Sequence, residues 1–233
     1  MSVIKAVLFD LDDTLWPIVP VIKRAENLLF EWLQANVPTV AARVSIDGMR
    51  ARRQVLMETD PVYQLDLRAL RHAVLKEAFM DAGEELSLVD EAMHVFSRAR
   101  NEVPLFPDVE PALRGLRERY ALASVSNGVS DLEAIGIAHL FDATIAAHSF
   151  GLAKPDAAIF HAACEALDVA PGEAVYVGDD PRLDVDGAQK AGLRAVWMNR
   201  KELQPLRPLP EGITPDAVCS NLVELDHWLQ QLR

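Results

Sequence analysis

The segment Val7-Leu8-Phe9-Asp10-Leu11-Asp12-Asp13-Thr14-Leu15 constrains the fold of this chain most, because an apolar run ends there abruptly in carboxylates two positions apart. Ile4 to Phe9 is apolar apart from Lys5, as expected of a strand covered on both faces of a parallel sheet. Side chains alternate along an extended chain, so Asp10 and Asp12 can share one side while Leu11 turns toward packing. In open parallel sheets, ligands bind in the crevice beyond the carboxyl ends of the strands, which is where these acids fall. Taken alone, the segment also reads as a turn in which Asp12 or Asp13 caps the next element of the chain.

The rest of the chain has two textures. From about Pro17 to Arg100 the pattern is helical: Ile22, Ala25, Leu28, Leu29, Trp32 and Leu33 recur at three- and four-residue steps, followed by Leu67, Leu70, Val74, Leu75, Ala78 and Phe79. Breaks at Pro38, Asp60-Pro61 and Asp81-Ala82-Gly83 predict about four helices joined by short turns. From Phe106 onward, β-rich runs alternate with helical stretches, the signature of βαβ units. Strands are predicted at Ala121 to Ser126, Ala143 to Ala146, Ala174 to Val177, Ala195 to Met198 and Ala217 to Cys219. Helices are predicted at Val109 to Arg119, Asp131 to Ile135, Ala157 to Leu167 and Asp184 to Ala191, and the proline-rich stretch Leu203 to Pro215 reads as an irregular loop. The first strand belongs with the later half, so residues 1–15 and 101–233 form an α/β core and 16–100 a helical insertion.

The 233 residues suffice for one large domain or a domain with a substantial insertion. With 35 acidic against 23 basic residues, the formal charge of -12 disfavours nucleic acid and anionic membranes as partners, but it leaves room for a small phosphate held at a local site. No signal peptide or membrane-length apolar run is apparent. Cys164 and Cys219 sit in apolar patterns without paired spacing, which predicts buried reduced thiols and a cytoplasmic protein. Oligomeric state is not readable from this pattern.

Three further strand ends carry polar groups. Ser124-Val125-Ser126-Asn127-Gly128 closes a strand with a hydroxyl, an amide and a glycine, suited either to an ordinary turn or to holding phosphoryl oxygens. Lys154 precedes Pro155, which suits the first position of a helix, and is either a solvated cation or a fixed charge for a phosphoryl group. Val175-Tyr176-Val177-Gly178-Asp179-Asp180 runs from a buried strand into an acidic loop continuing through Asp184 and Asp186. Four such strand ends at one sheet edge favour a shared site over four independent turns. Asp10, Asp12, Asp179 and one of Asp180 or Asp184 would repel one another unless a cation sat among them. Oxygen-only ligands favour Mg2+, and a carboxylate nucleophile, a second carboxyl group and a hydroxyl-lysine clamp describe phosphoryl transfer through an aspartyl-phosphate.

These motifs, D-x-D-x-T from Asp10 to Thr14, Ser126, Lys154 and G-D-x-x-x-x-D from Gly178 to Asp184, resemble in order those of the haloacid dehalogenase-like hydrolase superfamily. The resemblance implies a Rossmann-like parallel α/β core with an inserted all-α cap. It also implies that Asp10 is the nucleophile and Asp12 the general acid/base, with Ser126 and the Asn127 backbone binding the phosphoryl group and Lys154 orienting it. Asp179 would complete a Mg2+ site with Asp10 and the Asp12 carbonyl; of Asp180 and Asp184, one would approach the metal through water and the other hold Lys154. Dehalogenases of the family lack a carboxyl group at the Asp12 position, since halide departs without a proton, so a phosphatase is expected. A receiver-type phospho-accepting module and a catalytically dead scaffold are the non-enzyme alternatives. Trp16, Arg24, Arg52, Arg53, Tyr63 and His72 are the residues from which a closing cap would draw specificity. The stretch Phe9 to Arg24, with Val177 to Asp180, looks most like the branch acting on flavin mononucleotide and the phosphorylated riboflavin precursor; sugar phosphates, phosphoglycolate and pyrimidine nucleotides stay open.

Overall fold

Short apolar runs assemble into a single parallel sheet. In a computed structural model that describes residues 3–203 and 208–232, β1 (Ala6–Phe9), β2 (Ala121–Ser126), β3 (Ala143–Ala146), β4 (Ala174–Gly178), β5 (Arg194–Met198) and β6 (Ala217–Cys219) lie in the order β3-β2-β1-β4-β5-β6, all parallel. β1 is assigned from Ala6 rather than Ile4, although the ladder reaches Lys5, whose N–H donates to Glu173 and whose carbonyl accepts from Ala121. Phe9 is level with Ser124 on one side and Val177 on the other, so β1, β2 and β4 end side by side. The strand order reverses between β1 and β4, the kind of switch point at which a crevice opens in such sheets.

One face of the sheet buries every second residue: Ala6 and Leu8, Ala123 and Val125, Ala174 and Tyr176, Ala195 and Trp197 pack with Ile159, Phe160 and Ala163. Each large apolar side chain buried in this way contributes about 1.5–3 kcal/mol, which fixes the register and with it the positions of the strand ends. Cys164 and Cys219 are buried and unpaired by disulfide, and burial pushes both thiols up to about 11.

The chain divides into two compact units, one holding the sheet (the chain through Pro17, Pro104–Gly128 and from Gly136 on), the other helical (Ile18–Val103 with Val129–Ile135). The helical unit contains α1 (Ile18–Asn36), α2 (Pro38–Ala41), α3 (Ile46–Thr59), α4 (Val62–Leu65), α5 (Leu67–Ala82) and α6 (Leu88–Asn101). There are more helices than the pattern predicts because Pro38 and Pro61 each stand at the start of an extra short helix, a position that suits their fixed φ. Ser45 caps α3 by accepting from Gly48, Asp66 caps α5 by accepting from Arg68 and Ala69, and Gly83 ends α5 at φ +72°. Ala25, Leu29 and Leu33 pack with Val74, Leu75, Ala78, Phe79, Val89, Met93 and Phe96. Leu28 and Leu67, expected in the apolar stripe, are exposed instead.

The sheet unit adds α7 (Val109–Arg117), and α8 (Leu132–Ile135) comes next, in the helical unit. Residues 129–135 were expected in the core, but Arg100 donates to Ser130 Oγ at 2.7 Å and Asp131 N–H donates to Asn101, which ties them to the end of α6. α9 (Ala147–Phe150), α10 (Ala157–Ala166), α11 (Gly187–Lys190) and α12 (Leu222–Gln231) complete the sheet unit. The helix expected from Asp184 is a π-helical turn, Pro181–Asp186, running into α11. The expected loop Leu203 to Pro215 lies partly outside the described residues, and its described part holds no helix or strand.

Candidate active site

Lys154 is the centre of the site. Its ammonium donates to Asp10 Oδ1 at 2.6 Å, Asp184 Oδ1 at 2.7 Å and the Tyr176 hydroxyl at 2.8 Å, using its three donors in a buried position. The Tyr176 hydroxyl in turn donates a hydrogen bond to the Val125 carbonyl at 3.0 Å. Burial opposes the lysine charge, but Asp10 and then Asp184 outweigh it and hold Lys154 well above the ordinary lysine range. Burial also pushes Asp10 up to about 7, with Lys154 opposing the shift and Asp184 adding to it. The trio therefore carries one carboxylate more than its lysine can neutralise.

Carboxylate oxygens of Asp10, Asp179 and Asp184 lie within 4.8 Å of one another. An all-oxygen donor set with surplus negative charge fits a hard divalent cation. Of the two acids expected to share the lysine and the metal, Asp184 is the one that holds Lys154. Asp184 both holds Lys154 and joins this acidic group, whereas Asp180 Oδ1 accepts from the Arg182 and Leu183 N–H groups, satisfying the start of the π-helical turn. Asp184 Oδ2 accepts from the Asp180 N–H at 2.8 Å. Gly178 makes this fit possible, since a Cβ there would lie 2.3 Å from the Asp184 carboxyl group.

The turn after β1 is fixed from several sides. Thr14 donates to Asp10 Oδ2 at 3.1 Å, the Asp13 N–H donates to the Trp16 carbonyl, and Asp13 takes φ +61°. Arg200, fully buried, donates through Nε to the Thr14 carbonyl and through NH1 to both Asp108 oxygens, at 2.7 and 2.8 Å. Asp12 is half-buried and accepts from the Trp16 indole at 2.9 Å. Trp16 is wholly buried, so its ring holds a carboxylate rather than presenting a face to a ligand. Arg24 donates to the carbonyls of Ala99 and Glu102, bracing the end of α6. Arg52 pairs with Glu77, and His72 lies 3.4 Å from Asp90.

Ser126, at the end of β2, accepts from the Gly128 N–H at 2.9 Å. Asn127 has a function that the sequence did not reveal: its amide accepts from the Lys154 N–H at 2.8 Å and donates to the Lys154 carbonyl at 3.0 Å. This reciprocal pair fastens the lysine segment to the end of β2. Pro155 is not the first residue of α10, because Asp156 comes after it and caps the helix by accepting from Ala158. Tyr176 was also missed as a site residue. Its signal is a hydroxyl within an otherwise apolar central strand, which needs a buried partner.

Comparison with known proteins agrees with this arrangement. A family model described as haloacid dehalogenase-like hydrolase matches residues 4–192. The chain is 34% identical to a phosphoserine phosphatase of Thermus thermophilus, covering 95% of this chain and 97% of that protein. It is 30% identical to the 5-amino-6-(5-phospho-D-ribitylamino)uracil phosphatase YigB of Escherichia coli, over 95% and 94%. A crystal structure of a 2-haloacid dehalogenase from Pseudomonas syringae superposes with a TM-score of 0.90 at 37% identity, covering 99% of this chain and 100% of that one. With its four motif loops gathered at the switch point of a parallel sheet, the chain belongs to the haloacid dehalogenase-like hydrolases.

Proposed function

We propose that this protein hydrolyses the phosphate monoester of a small metabolite through a phosphoenzyme formed on Asp10, and that Asp10, Asp179 and the Asp12 carbonyl would hold Mg2+. The observation that carries the reading is Lys154 clasped between Asp10 and Asp184, at 2.6 and 2.7 Å, beside a third carboxylate. The Asp10 carboxylate attacks phosphorus as the ester P–O bond breaks, and Asp12 gives a proton to the departing alkoxide. Asp12 then takes a proton from water, which attacks the phosphoryl group and releases Asp10. Ser126 Oγ–H and the Asn127 N–H bind phosphoryl oxygens, and Lys154 offsets their charge. When bound, Mg2+ would supply positive charge that offsets the repulsion between the Asp10 carboxylate and the anionic ester.

A half-buried carboxyl group at Asp12, oriented by the Trp16 indole, favours a leaving group that needs a proton over halide. Asp12→Asn should slow phosphorylation by an alkyl phosphate by about 10²–10⁴-fold, the usual range for general acid catalysis, and slow a nitrophenyl phosphate far less. Trp16→Phe, which leaves Asp12 in place but unoriented, should show the same bias at smaller amplitude. Single-turnover rates that fall equally on both esters would take Asp12 out of the acid role, and halide release from a 2-haloacid would favour the dehalogenase reading.

Gly178→Ala tests the lysine clasp. The new Cβ must displace Asp184, so turnover should fall about 10²-fold, as for misplacements of about an ångström, and stability by about 1–3 kcal/mol from overpacking. Near-normal kinetics with unchanged urea unfolding would show that Asp184 need not stay where it is.

Within this reaction class, the phosphorylated riboflavin precursor leads the substrates, supported by similarity to the Escherichia coli phosphatase, with flavin mononucleotide beside it on the resemblance of the sequence alone. Relatives named for phosphoserine and glyceraldehyde 3-phosphate make those esters the next to assay. Turnover of a panel of phosphate esters ranks them directly. Buried free thiols suit a reducing cytoplasm, and no described helix is long and apolar enough to cross a membrane.

A further inference from the structure

The helical unit gathers cations in a chain whose formal charge is -12. Glu26 on α1, 2% exposed, faces three arginines. Arg50 of α3 donates to Oε2 through Nε at 2.9 Å and NH2 at 2.6 Å, while Arg53, one turn on, donates to Oε1 at 2.5 Å. Arg71 of α5 reaches toward the same Oε1 but stops at 3.6 Å, outside hydrogen-bonding range. Asp47, itself exposed, adds a contact to Arg50 alone.

One carboxylate cannot satisfy three guanidinium groups, and Arg71 is the one left short. Its NH1 is buried without an acceptor, and its Cζ lies 3.5 Å from the centre of the Phe96 ring. Burial, then the charge of Arg53, pulls Arg71 down to about 9, Glu26 offsets only part of this, and Arg100 lowers it further. Buried charges are ordinarily paired and fully hydrogen-bonded, and Glu26 with Arg53 alone would already tie α1 to α3. A surplus of forked donors, one of them held over an aromatic ring, is instead the chemistry that recognises carboxylates and phosphates. The side chains of Arg53 and Arg71 keep 14% and 11% exposure, so neither is sealed from solvent.

We propose that Arg53 and Arg71 form a binding site for a compact oxyanion, the carboxylate or phosphate group of a small metabolite, which supplies the acceptor that Arg71 lacks. The site stands whether or not Asp10 is a nucleophile. Its residues all belong to the helical unit, so failure of either assignment leaves the other intact.

The test is titration of the whole protein, in chelator and at constant ionic strength, with malonate and separately with inorganic phosphate. Calorimetry and the arginine Nε–Hε NMR signals serve as readouts. At least one anion should bind saturably and shift the Arg71 signal, and Arg71→Met should weaken it by at least about tenfold, the loss expected for a charge-assisted hydrogen bond. Tighter malonate assigns a carboxylate, and tighter phosphate assigns a phosphate. Arg71→Met should also leave the urea midpoint unchanged or raised, because it removes an under-neutralised buried cation and keeps an apolar chain against Phe96. A purely structural ion cluster predicts a lower midpoint. Absence of saturable binding by both anions overturns the proposal, as does binding that Arg71→Met leaves unchanged. If the methionine variant does not fold, Arg71→Lys takes its place: it keeps the charge without the fork and should bind several-fold more weakly, and equal affinity would again overturn the site.

Discussion

Asp10→Asn should lower phosphomonoester turnover by about 10⁴-fold or more, the scale seen when a group that acts as part of a catalytic unit is removed. An amide cannot form the phosphoenzyme, and it removes one carboxylate from the group that surrounds the proposed metal. Chelation should abolish wild-type turnover; activity near wild type in the variant would rule out covalent chemistry at Asp10, and activity near wild type in chelator would rule out the metal. A second readout does not depend on activity. Burial raises Asp10 from 3.8 to about 7 in the folded protein, so the folded state binds a proton more tightly than the unfolded state. The stability this contributes is complete below pH 4 and is lost as pH rises through 7. In chelator, Asp10→Asn should therefore be more stable than wild type at pH 8, with the difference shrinking as pH falls to 5. Urea unfolding of both proteins across that interval measures it.

Lys154→Met should be costly to both fold and chemistry. Removing the ammonium leaves Asp10 and Asp184 buried together without a cation between them, and the loss of one partner from such a network costs about 3–5 kcal/mol. The Tyr176 hydroxyl loses its donor at the same time. Turnover should fall by about 10²–10³-fold as a fixed electrostatic contact to the phosphoryl group disappears. The direction with pH is set by the acids: Lys154 holds Asp10 down, so without it Asp10 resists ionisation further. The destabilisation should be greater at pH 8 than at pH 5, where protonation relieves the repulsion. A penalty independent of pH would show that the lysine acts by packing alone.

The chemistry of the site is written locally in the sequence. Asp10, Asp12, Ser126, Lys154 and Asp179 each stand at an abrupt change from apolar to polar residues, and short apolar runs set between helical stretches are a signal that survives without tertiary information. The sheet strands could be read for the same reason, with Ala121–Ser126, Ala143–Ala146 and Ala217–Cys219 matching residue for residue. Short helices were harder, because a proline that interrupts one helix starts another, as at Pro38.

What only the tertiary structure decided is the partner of each polar group. Asp180 and Asp184 look alike in an acidic loop, and they part because the π-helical turn needs a cap from one while Gly178 leaves space for the other to reach Lys154. Trp16 looks like a ligand-facing aromatic until burial turns its indole onto Asp12. Asn127 and Tyr176 act on Lys154 from 27 and 22 residues away, and the arginines around Glu26 meet across three helices. Sequence pattern determines which residues are polar and which way an element faces. Hydrogen bonds and ion pairs act over about 3 Å, so who meets whom is settled only when the packing of distant segments brings those atoms together.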